Sequence, residues 1–547
     1  MDNKNNLNKK IIKTVIDIGN RKIKGIIGKM SPDGVSVLEY AEVFSSGIEK
    51  SNITNTIELS GALGALIEKL KSNDRPIEKV TIGIGGKNIK TKRVPYKYEF
   101  PKKQITEEDI ENFFQNAKKE FLNSNEVLLH KEIYNLKIDD SGTIKNVLGK
   151  IGSQLLGDVY FIYIEEDEFR KYKDITRKIG LQLEDIVSSA YASALSTLRT
   201  DERKQGVALI DIGEGSTDII IYKYDKLVFM DSIPMGTMNY VNDITFLPAF
   251  VSHKTKHSID NQKTISKKAA RDIFDRYRRK EIDVEKAYIK ENITYMGDYI
   301  REIIDFRNKE IAKLIKELLT NSGLLLTLGK NIVLTGGGSN IEGLCEKIYD
   351  FVGKTPKKVL PIKLPGLKEN SNSLAAVIGL FGEAIDKEYK KIIGSNLKSS
   401  KSNKSSNGSN TIDKRIDNPV NIPDRDKPIS LAGEKSPTIA EVKPAIPDPK
   451  NILTSKPFDN NRDNALKEIL DTHISRNNSS TVNSRPANID NTLVSANNID
   501  PAENLENIDI NHIDGIEIID DYPRESRVSS IIKNVGSKIK EWTDYFK

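Results

Sequence analysis

"LIDIGEGSTDIII", residues 209–221, is an apolar run, a carboxylate, two glycines among small hydroxyl residues, and a second apolar run. Two β-branched segments around a Gly-containing turn read as a β-hairpin. The turn, Gly213-Glu214-Gly215-Ser216-Thr217, follows Asp211. Such a turn can aim several backbone N–H groups at one point and admit a phosphate where a Cβ would clash. Taken alone, Asp and Gly are ordinary hairpin residues, favoured for backbone reasons. The question is whether the rest of the chain is built to use this turn.

Working outward, the same plan recurs. "TVIDIGNRKIKGIIG", residues 14–28, repeats strand, Asp-Ile-Gly turn and strand, with Gly19, Asn20, Arg21 and Lys22 following Asp17. "NIVLTGGGSNIEGLCEKIYDFV", residues 331–352, is an apolar strand running into Gly336, Gly337 and Gly338 and then a helix with Ser or Asn at its start. Helical periodicity marks 56–72, 169–181, 187–198 and 299–319. Interleaved strands and helices place the fold in the α/β class, and the duplicated hairpin implies two related halves facing one another across a cleft. Two such turns could clamp the β- and γ-phosphates of a nucleotide from opposite sides. Asp17 and Asp211 would hold Mg²⁺ through water, because that ion keeps much of its hydration shell. The Gly336–Gly338 run would let an adenosine lie on bare backbone.

Composition sets the limits. A chain of 547 residues has room for several domains. Its net charge of +6 is too small to point to nucleic acid. The single Cys345 excludes a disulfide framework and fits a reducing compartment. No apolar signal core precedes the first strand and no membrane-spanning run occurs, so a soluble, cytoplasmic protein is expected. From 391 to 523 the chain turns to Asn, Ser, Asp and Pro with few aromatics. Such a segment cannot bury enough apolar surface to offset its ordering entropy and reads as a disordered linker.

Pattern returns at 524–547. Val528, Ile531, Ile532, Val535, Ile539, Trp542, Tyr545 and Phe546 draw one stripe on a helix of 3.6 residues per turn. Lys533, Lys538 and Lys540 contribute to an excess of six basic over three acidic residues. An aromatic stripe beside lysines suits the headgroup region of an anionic membrane. Burying one large apolar side chain contributes at most roughly 1.5–3 kcal/mol, so firm attachment would need many helices acting together.

The order of the glycine turns resembles the actin-like ATPase superfamily. Within it, "VIDIGNRKIKGIIG", "ALIDIGEGSTDIIIY" and "IVLTGGGSNIEGL" resemble the FtsA family of bacterial cell-division proteins. "ITEEDIENFFQNAKK" followed by "EVLLHKEIYNLKIDDSGTIKNVLG" is similar to that family's inserted α+β subdomain, and "NVGSKIKEW" to its membrane-targeting helix. The insert also carries Thr106 as an N-cap with acids in the first turn behind it. The resemblance implies an actin-like, duplicated two-domain fold. Residues 11–88 and 157–205 form the first domain, 89–156 the insert, and 206–390 the second domain, whose helical subdomain spans about 240–318. A linker (391–523) and an amphipathic helix (524–547) follow. It implies ATP and Mg²⁺ as cofactors, with Gly236 joining the two turns and the glycine run as a nucleotide-binding residue. It implies polymerisation, binding of the FtsZ C-terminal peptide and of later division proteins, and a peripheral place at the cytoplasmic face of the septum. "MGDYIREIIDF", residues 296–306, is the expected docking helix.

Three departures from the family pattern shape the expectations. The stretch 244–270 lacks the Ala-Glu-x-x-x-Lys expected to contact ribose and adenine. Glu214 replaces a usual glycine, and its carboxylate would repel a γ-phosphate unless it pointed to solvent or to the metal. Ser188 and Ser189 stand where hydrolytic relatives place a water-positioning Gln or Glu, so hydrolysis is expected to be slow or absent. No catalytic residue is named. A pilus-assembly homologue of the PilM type shares core and insert, but the linker and terminal helix count against it. A small-molecule kinase would need a substrate pocket with a catalytic carboxylate, and none is identified.

Overall fold

The computed structural model describes residues 11–402, apart from 32–33, 72–75, 257–263 and 330–331. The amphipathic segment and nearly all of the expected linker lie outside the described residues. Strands β1 (Ile11–Ile18), β2 (Lys22–Ser31) and β3 (Gly34–Phe44) form an antiparallel meander. A short hairpin of β4 (Ile48–Glu49) and β5 (Asn52–Ile53) leads to helix α1 (Thr56–Leu70). That helix begins where the Asn55 side chain accepts hydrogen bonds from the backbone N–H groups of Ile57 and Glu58. Leu59, Leu63, Leu66, Ile67 and Leu70, at helical spacing, bury its inner face. Strand β6 (Lys79–Ile84) then pairs parallel to β1.

The insert follows as β7 (Lys90–Gln104), α2 (Glu107–Phe121), β8 (Glu126–Ile138) and β9 (Ile151–Glu165), with strand order β7-β9-β8. Thr106 caps α2 in a reciprocal box with Asp109. The insert has its own core, including Phe113, Phe114, Leu155, Val159 and Phe161. Its end is later than the sequence reading placed it. Residues 157–165, expected in the first domain, complete the insert's central strand. The physical reason is strand alternation: Val159, Phe161 and Tyr163 face the insert core, while Tyr160, Ile162 and Ile164 join the core of the first domain.

Helix α3 (Glu166–Lys178), strand β10 (Gln182–Ser188) and helices α4 (Ser189–Thr197) and α5 (Thr200–Gln205) return the chain to the first domain. The second domain opens with β11 (Val207–Ile212), β12 (Thr217–Lys223) and β13 (Lys226–Ile233). A helical layer follows: α6 (Thr237–Thr245), α7 (Leu247–Thr255), α8 (Lys267–Arg278), a hairpin of β14 (Ala287–Lys290) and β15 (Ile293–Met296), and α9 (Gly297–Asn321). Strand β16 (Ile332–Thr335), α10 (Leu344–Val352) and β17 (Pro356–Lys358) close the sheet. The two sheets have orders β3-β2-β1-β6-β10 and β13-β12-β11-β16-β17. Each is an antiparallel meander whose first strand pairs parallel to a later one, which in turn pairs parallel to the last. The duplication read from two Asp-Ile-Gly hairpins is therefore a duplication of topology. Val207 to Ile210 are wholly buried, the continuous apolar run of a strand covered on both faces.

Helix α11 (Ala375–Ser402) corrects a second boundary. Expected to close the second domain at 390, it instead packs on α4, β1 and β2, and Val377, Ile378, Leu380 and Phe381 join the first domain's core. It also runs beyond 390, to Ser402. Its contact with α4 is close enough that a Cβ on Gly379 would lie 1.7 Å from the Ala192 carbonyl oxygen. Among the described residues no helix is long and apolar enough to cross a membrane.

This contact yields a paired test. Gly379→Ala must push α11 off α4 and should lower unfolding stability by about 2 kcal/mol or more. Gly61→Ala, on α1 with nothing within 4 Å of its Cβ position, should instead stabilise by roughly 0.5–1 kcal/mol. Urea unfolding of both variants, read side by side, checks the sign of each.

Candidate functional site

Both hairpin turns lie where the two sheets approach one another, beside α4. Asp17, near the end of β1, is buried and accepts a hydrogen bond from Ser189 Oγ at 2.8 Å. Asp211, at the matching place on β11, accepts one from Ser193 Oγ. Ser189 and Ser193 are one turn apart on α4, so a single helix face holds one carboxylate of each domain. Lys24 reaches into the same region from β2 and donates to the Ser373 carbonyl. Burial lowers the Lys24 pKa against the attraction of Asp17, Glu42 and Asp211. Burial likewise raises Asp17, opposed by Lys24 and Ser189. It lifts Asp211 to about 7, with Asp218 and Asp17 adding to the rise. Asp218, accepting from Ser216, is lifted by burial to about 6.

The turns touch directly. A Cβ on Gly215 would sit 2.5 Å from the Asn20 side-chain amide, which is itself fixed by hydrogen bonds to Ser51 of 3.0 and 2.8 Å. The second turn is closed by Gly213 N–H donating to Ser216 O at 2.9 Å, and Thr217 Oγ1 donates to the Met235 carbonyl. Behind it, Thr237 and Met238 N–H donate to the carbonyls of Gly213 and Glu214. Gly236 fits there because any Cβ would meet those carbonyl oxygens at about 2.5 Å. It buttresses the turn from behind. Lys22 forms an ion pair with Glu42 on the neighbouring strand. Gly19 stays in the turn, its carbonyl accepting from Ser45 Oγ.

The glycine run divides its labour. Gly336 has φ of +84°, and a Cβ would lie 2.2 Å from Asp211 Oδ1. Gly338 N–H donates to Ile212 O at 2.7 Å, and a Cβ there would strike the Ile212 side chain. Gly337 is different: its nearest neighbour to a Cβ is 3.8 Å away. Of the three it is the open one. Helix α10 begins at Leu344, behind Gly343, rather than at Ser339 or Asn340 as the sequence suggested.

Sequence reasoning missed the polar face of α8. Ser266 caps this helix, and Ala269, Ala270, Ile273, Phe274 and Tyr277 bury its other side. Arg271, Asp275 and Arg278, spaced by four and three, line one face, which reaches the glycine turns. Arg271 Nη2 donates to Glu214 Oε1 at 2.7 Å. Arg21 forks onto Asp275 with bonds of 3.1 and 2.8 Å, and its Nε lies 3.9 Å from Glu214 Oε2. Arg278 donates to the Gly337 carbonyl. Glu214 therefore points neither to solvent nor to a metal position, as the sequence reading required of it, but into a guanidinium pair. The amphipathic stripe of "KKAARDIFDRYR" was the available signal.

These residues fit an anionic ligand. Among the described residues, buried Arg271 Nη1 and Arg278 Nε have no hydrogen-bond partner. Three guanidinium groups crowd together, and after burial the Arg21 charge is the next cause lowering the Arg278 pKa. Phosphate oxygens are the natural acceptors for such donors. For a metal the fit is looser. No group of three or more His, Cys, Asp or Glu suited to hold an ion occurs among the described residues. Asp17, buried, and Asp211, half-buried, would suit a hydrated Mg²⁺ held through water.

Comparison with known proteins gives two family matches: a model described as "Cell division protein FtsA" over residues 208–432, and "SHS2 domain inserted in FTSA" over 86–163. Cell division protein FtsA of Escherichia coli (strain K12) is 25% identical over 361 residues, covering 65% of this chain and 85% of the relative. FtsA of Buchnera aphidicola subsp. Baizongia pistaciae is 27% identical over 394 residues, covering 69% and 91%. Among solved structures, the PilM-PilN type IV pilus biogenesis complex aligns at 14% identity and a TM-score of 0.47, over 68% of this chain and 97% of that one. MreB5 of Spiroplasma citri bound to ADP aligns at 15% identity and 0.39, over 70% and 98%.

Proposed function

The chain belongs to the FtsA family of cell-division proteins, and we propose that it is a nucleotide-binding actin homologue that polymerises and tethers FtsZ to the cytoplasmic membrane. One observation carries the nucleotide half: two topologically equivalent sheets bring Asp-Ile-Gly turns together beside arginine side chains, of which Arg271 Nη1 and Arg278 Nε are buried without a hydrogen-bond partner among the described residues. In this reading the first turn, Gly19, Asn20, Arg21 and Lys22, and Gly213, Gly215, Ser216 and Thr217 of the second take the phosphates of ATP. Gly337 offers open backbone to the nucleoside, and Asp17 and Asp211 face Mg²⁺ through water. Bound nucleotide would supply negative charge for the arginines and favour whichever domain arrangement binds it better, without need of turnover. Ser189 is engaged with Asp17, and Ser188 caps α4 by accepting from Tyr191 N–H. Neither is placed as a base, which supports slow or absent hydrolysis.

The partner half rests on other features. A groove of about 490 Å³ lies along α9, lined by Tyr277, Ile304 and Phe306, by the basic Arg301 and Lys309 and by the acidic Glu302, Asp305 and Glu342. Aromatic and aliphatic side chains between charges of both signs suit a short amphipathic peptide, such as the FtsZ C-terminus. Self-association into filaments and recruitment of later division proteins complete the reading. The membrane contact is assigned to 524–547, where Trp542 and Phe546 would enter the lipid and Lys533, Lys538 and Lys540 would face anionic headgroups. It would place the protein peripherally at the septum. Membership of this family favours cell division over the pilus and kinase alternatives.

Gly337→Val tests the cleft at the glycine of the run whose Cβ would meet its nearest neighbour, Ser373, at an ordinary contact distance of 3.8 Å. ATP–Mg²⁺ affinity by calorimetry should fall at least about tenfold while the melting temperature barely moves. Unchanged affinity would remove the reading of this run as a nucleotide face.

The tail is tested by vesicle flotation of the full chain. Trp542→Glu removes a buried ring and adds a charge, so binding should collapse even on anionic vesicles. Changing Lys533, Lys538 and Lys540 to Gln should weaken binding by about 1 kcal/mol per charge on anionic lipid and little on neutral lipid. Full binding by Trp542→Glu would assign the segment to a protein surface instead.

A further inference from the structure

Glu214 and Asp275 have no role in holding a nucleotide, yet they sit among the groups that would. Glu214, with a side chain only 7% exposed, lies between Arg271 at 2.7 Å and Arg21 at 3.9 Å. Asp275 takes both terminal nitrogens of Arg21 in a fork. Arg21 belongs to the first domain, and the other three belong to the second. The network thus runs from the first turn, across the cleft, to helix α8. A carboxylate in a guanidinium fork has the geometry that a phosphate oxygen pair would take in the same fork.

We propose that Glu214 and Asp275 act as built-in competitors of the phosphates: an arginine–carboxylate latch that closes the cleft without ligand and must be exchanged for phosphate when nucleotide enters. This rests on the nucleotide reading of the same cleft and adds its regulation. Three observations support it. The Arg21–Asp275 fork joins the two domains, so breaking it removes one tie across the cleft. Among the described residues, Arg271 Nη1 and Arg278 Nε are buried without a hydrogen-bond partner, so the latch leaves two donors unanswered that phosphate oxygens would satisfy. The Arg278 side chain already contacts the Gly337 carbonyl, at the edge where a nucleoside would lie. A site that binds only after an internal ligand leaves has its apparent affinity reduced by the fraction of open molecules. Neutralising the competitor should therefore tighten binding, although it removes an ion pair.

The test uses the full chain, with ATP–Mg²⁺ and inorganic tripolyphosphate as probes in calorimetry. Glu214→Gln and Asp275→Asn should each bind both probes about tenfold or more tighter than the unmodified chain, whereas Arg21→Ala should bind them more weakly. In parallel, thermal unfolding without nucleotide should show that Arg21→Ala and Asp275→Ala together lower the melting temperature no more than either alone. Equal or weaker probe binding by both carboxylate variants would overturn the competition. Additive losses in melting temperature would overturn the latch itself. If no variant binds either probe while the melting losses stay non-additive, the nucleotide reading falls, and the competition falls with it.

Discussion

Asp17 and Asp211 lie near the ends of two central strands, the first buried and the second half-buried, where an ionised carboxylate is destabilising unless hydrogen bonds and an opposite charge answer it. Helix α4 meets that demand for both at once. Ser189 bonds the first and Ser193 the second, and the spacing of one helical turn lets one face serve two domains. Lys24 adds a cation whose own burial it shares with them. The two hairpin turns meet beside this helix, where Asn20 lies against Gly215.

The second anchor is α11. Because Gly379 lets it lie against the Ala192 backbone, it presses α4 onto the first sheet from behind. Packing that close depends on shape, since a gap of about 0.5–1 Å forfeits roughly a quarter to a half of the dispersion gain. The cleft is therefore backed by a rigid pair of helices and fronted by charged side chains. Its front is where motion is available: ion pairs that are partly exposed exchange readily with an incoming anion, while a close-packed helix pair does not.

Most of the architecture was legible from the sequence for a simple reason. Asp-Ile-Gly between two β-branched runs demands a hairpin, and its repetition demands related halves. Thr106 followed by Asp109 announces the start of α2. The domain limits were less legible because β9 serves two cores on alternate faces and α11 crosses back to the first domain; both are long-range facts that local periodicity does not carry. The site was half legible. Glycines show where a backbone approaches something, but not what fills the approach. Gly236, Gly336 and Gly338 are spoken for by neighbouring main chain and side chains, and Gly337 is left open. Glu214 looked like an isolated departure because Arg271, its partner, lies 57 positions away on a helix read only as a missing motif.

The central claim is that the cleft between the two turns is an anion site, held shut by its own carboxylates until phosphates replace them. A crystal structure of the full chain with Mg²⁺ and a non-hydrolysable ATP analogue tests it most directly. The account predicts phosphate density between residues 19–22 and 213–217, with Arg21 and Arg271 turned from Asp275 and Glu214 onto phosphate oxygens. Density for the analogue elsewhere, or in the cleft with the Arg21–Asp275 and Arg271–Glu214 pairs intact, would contradict it.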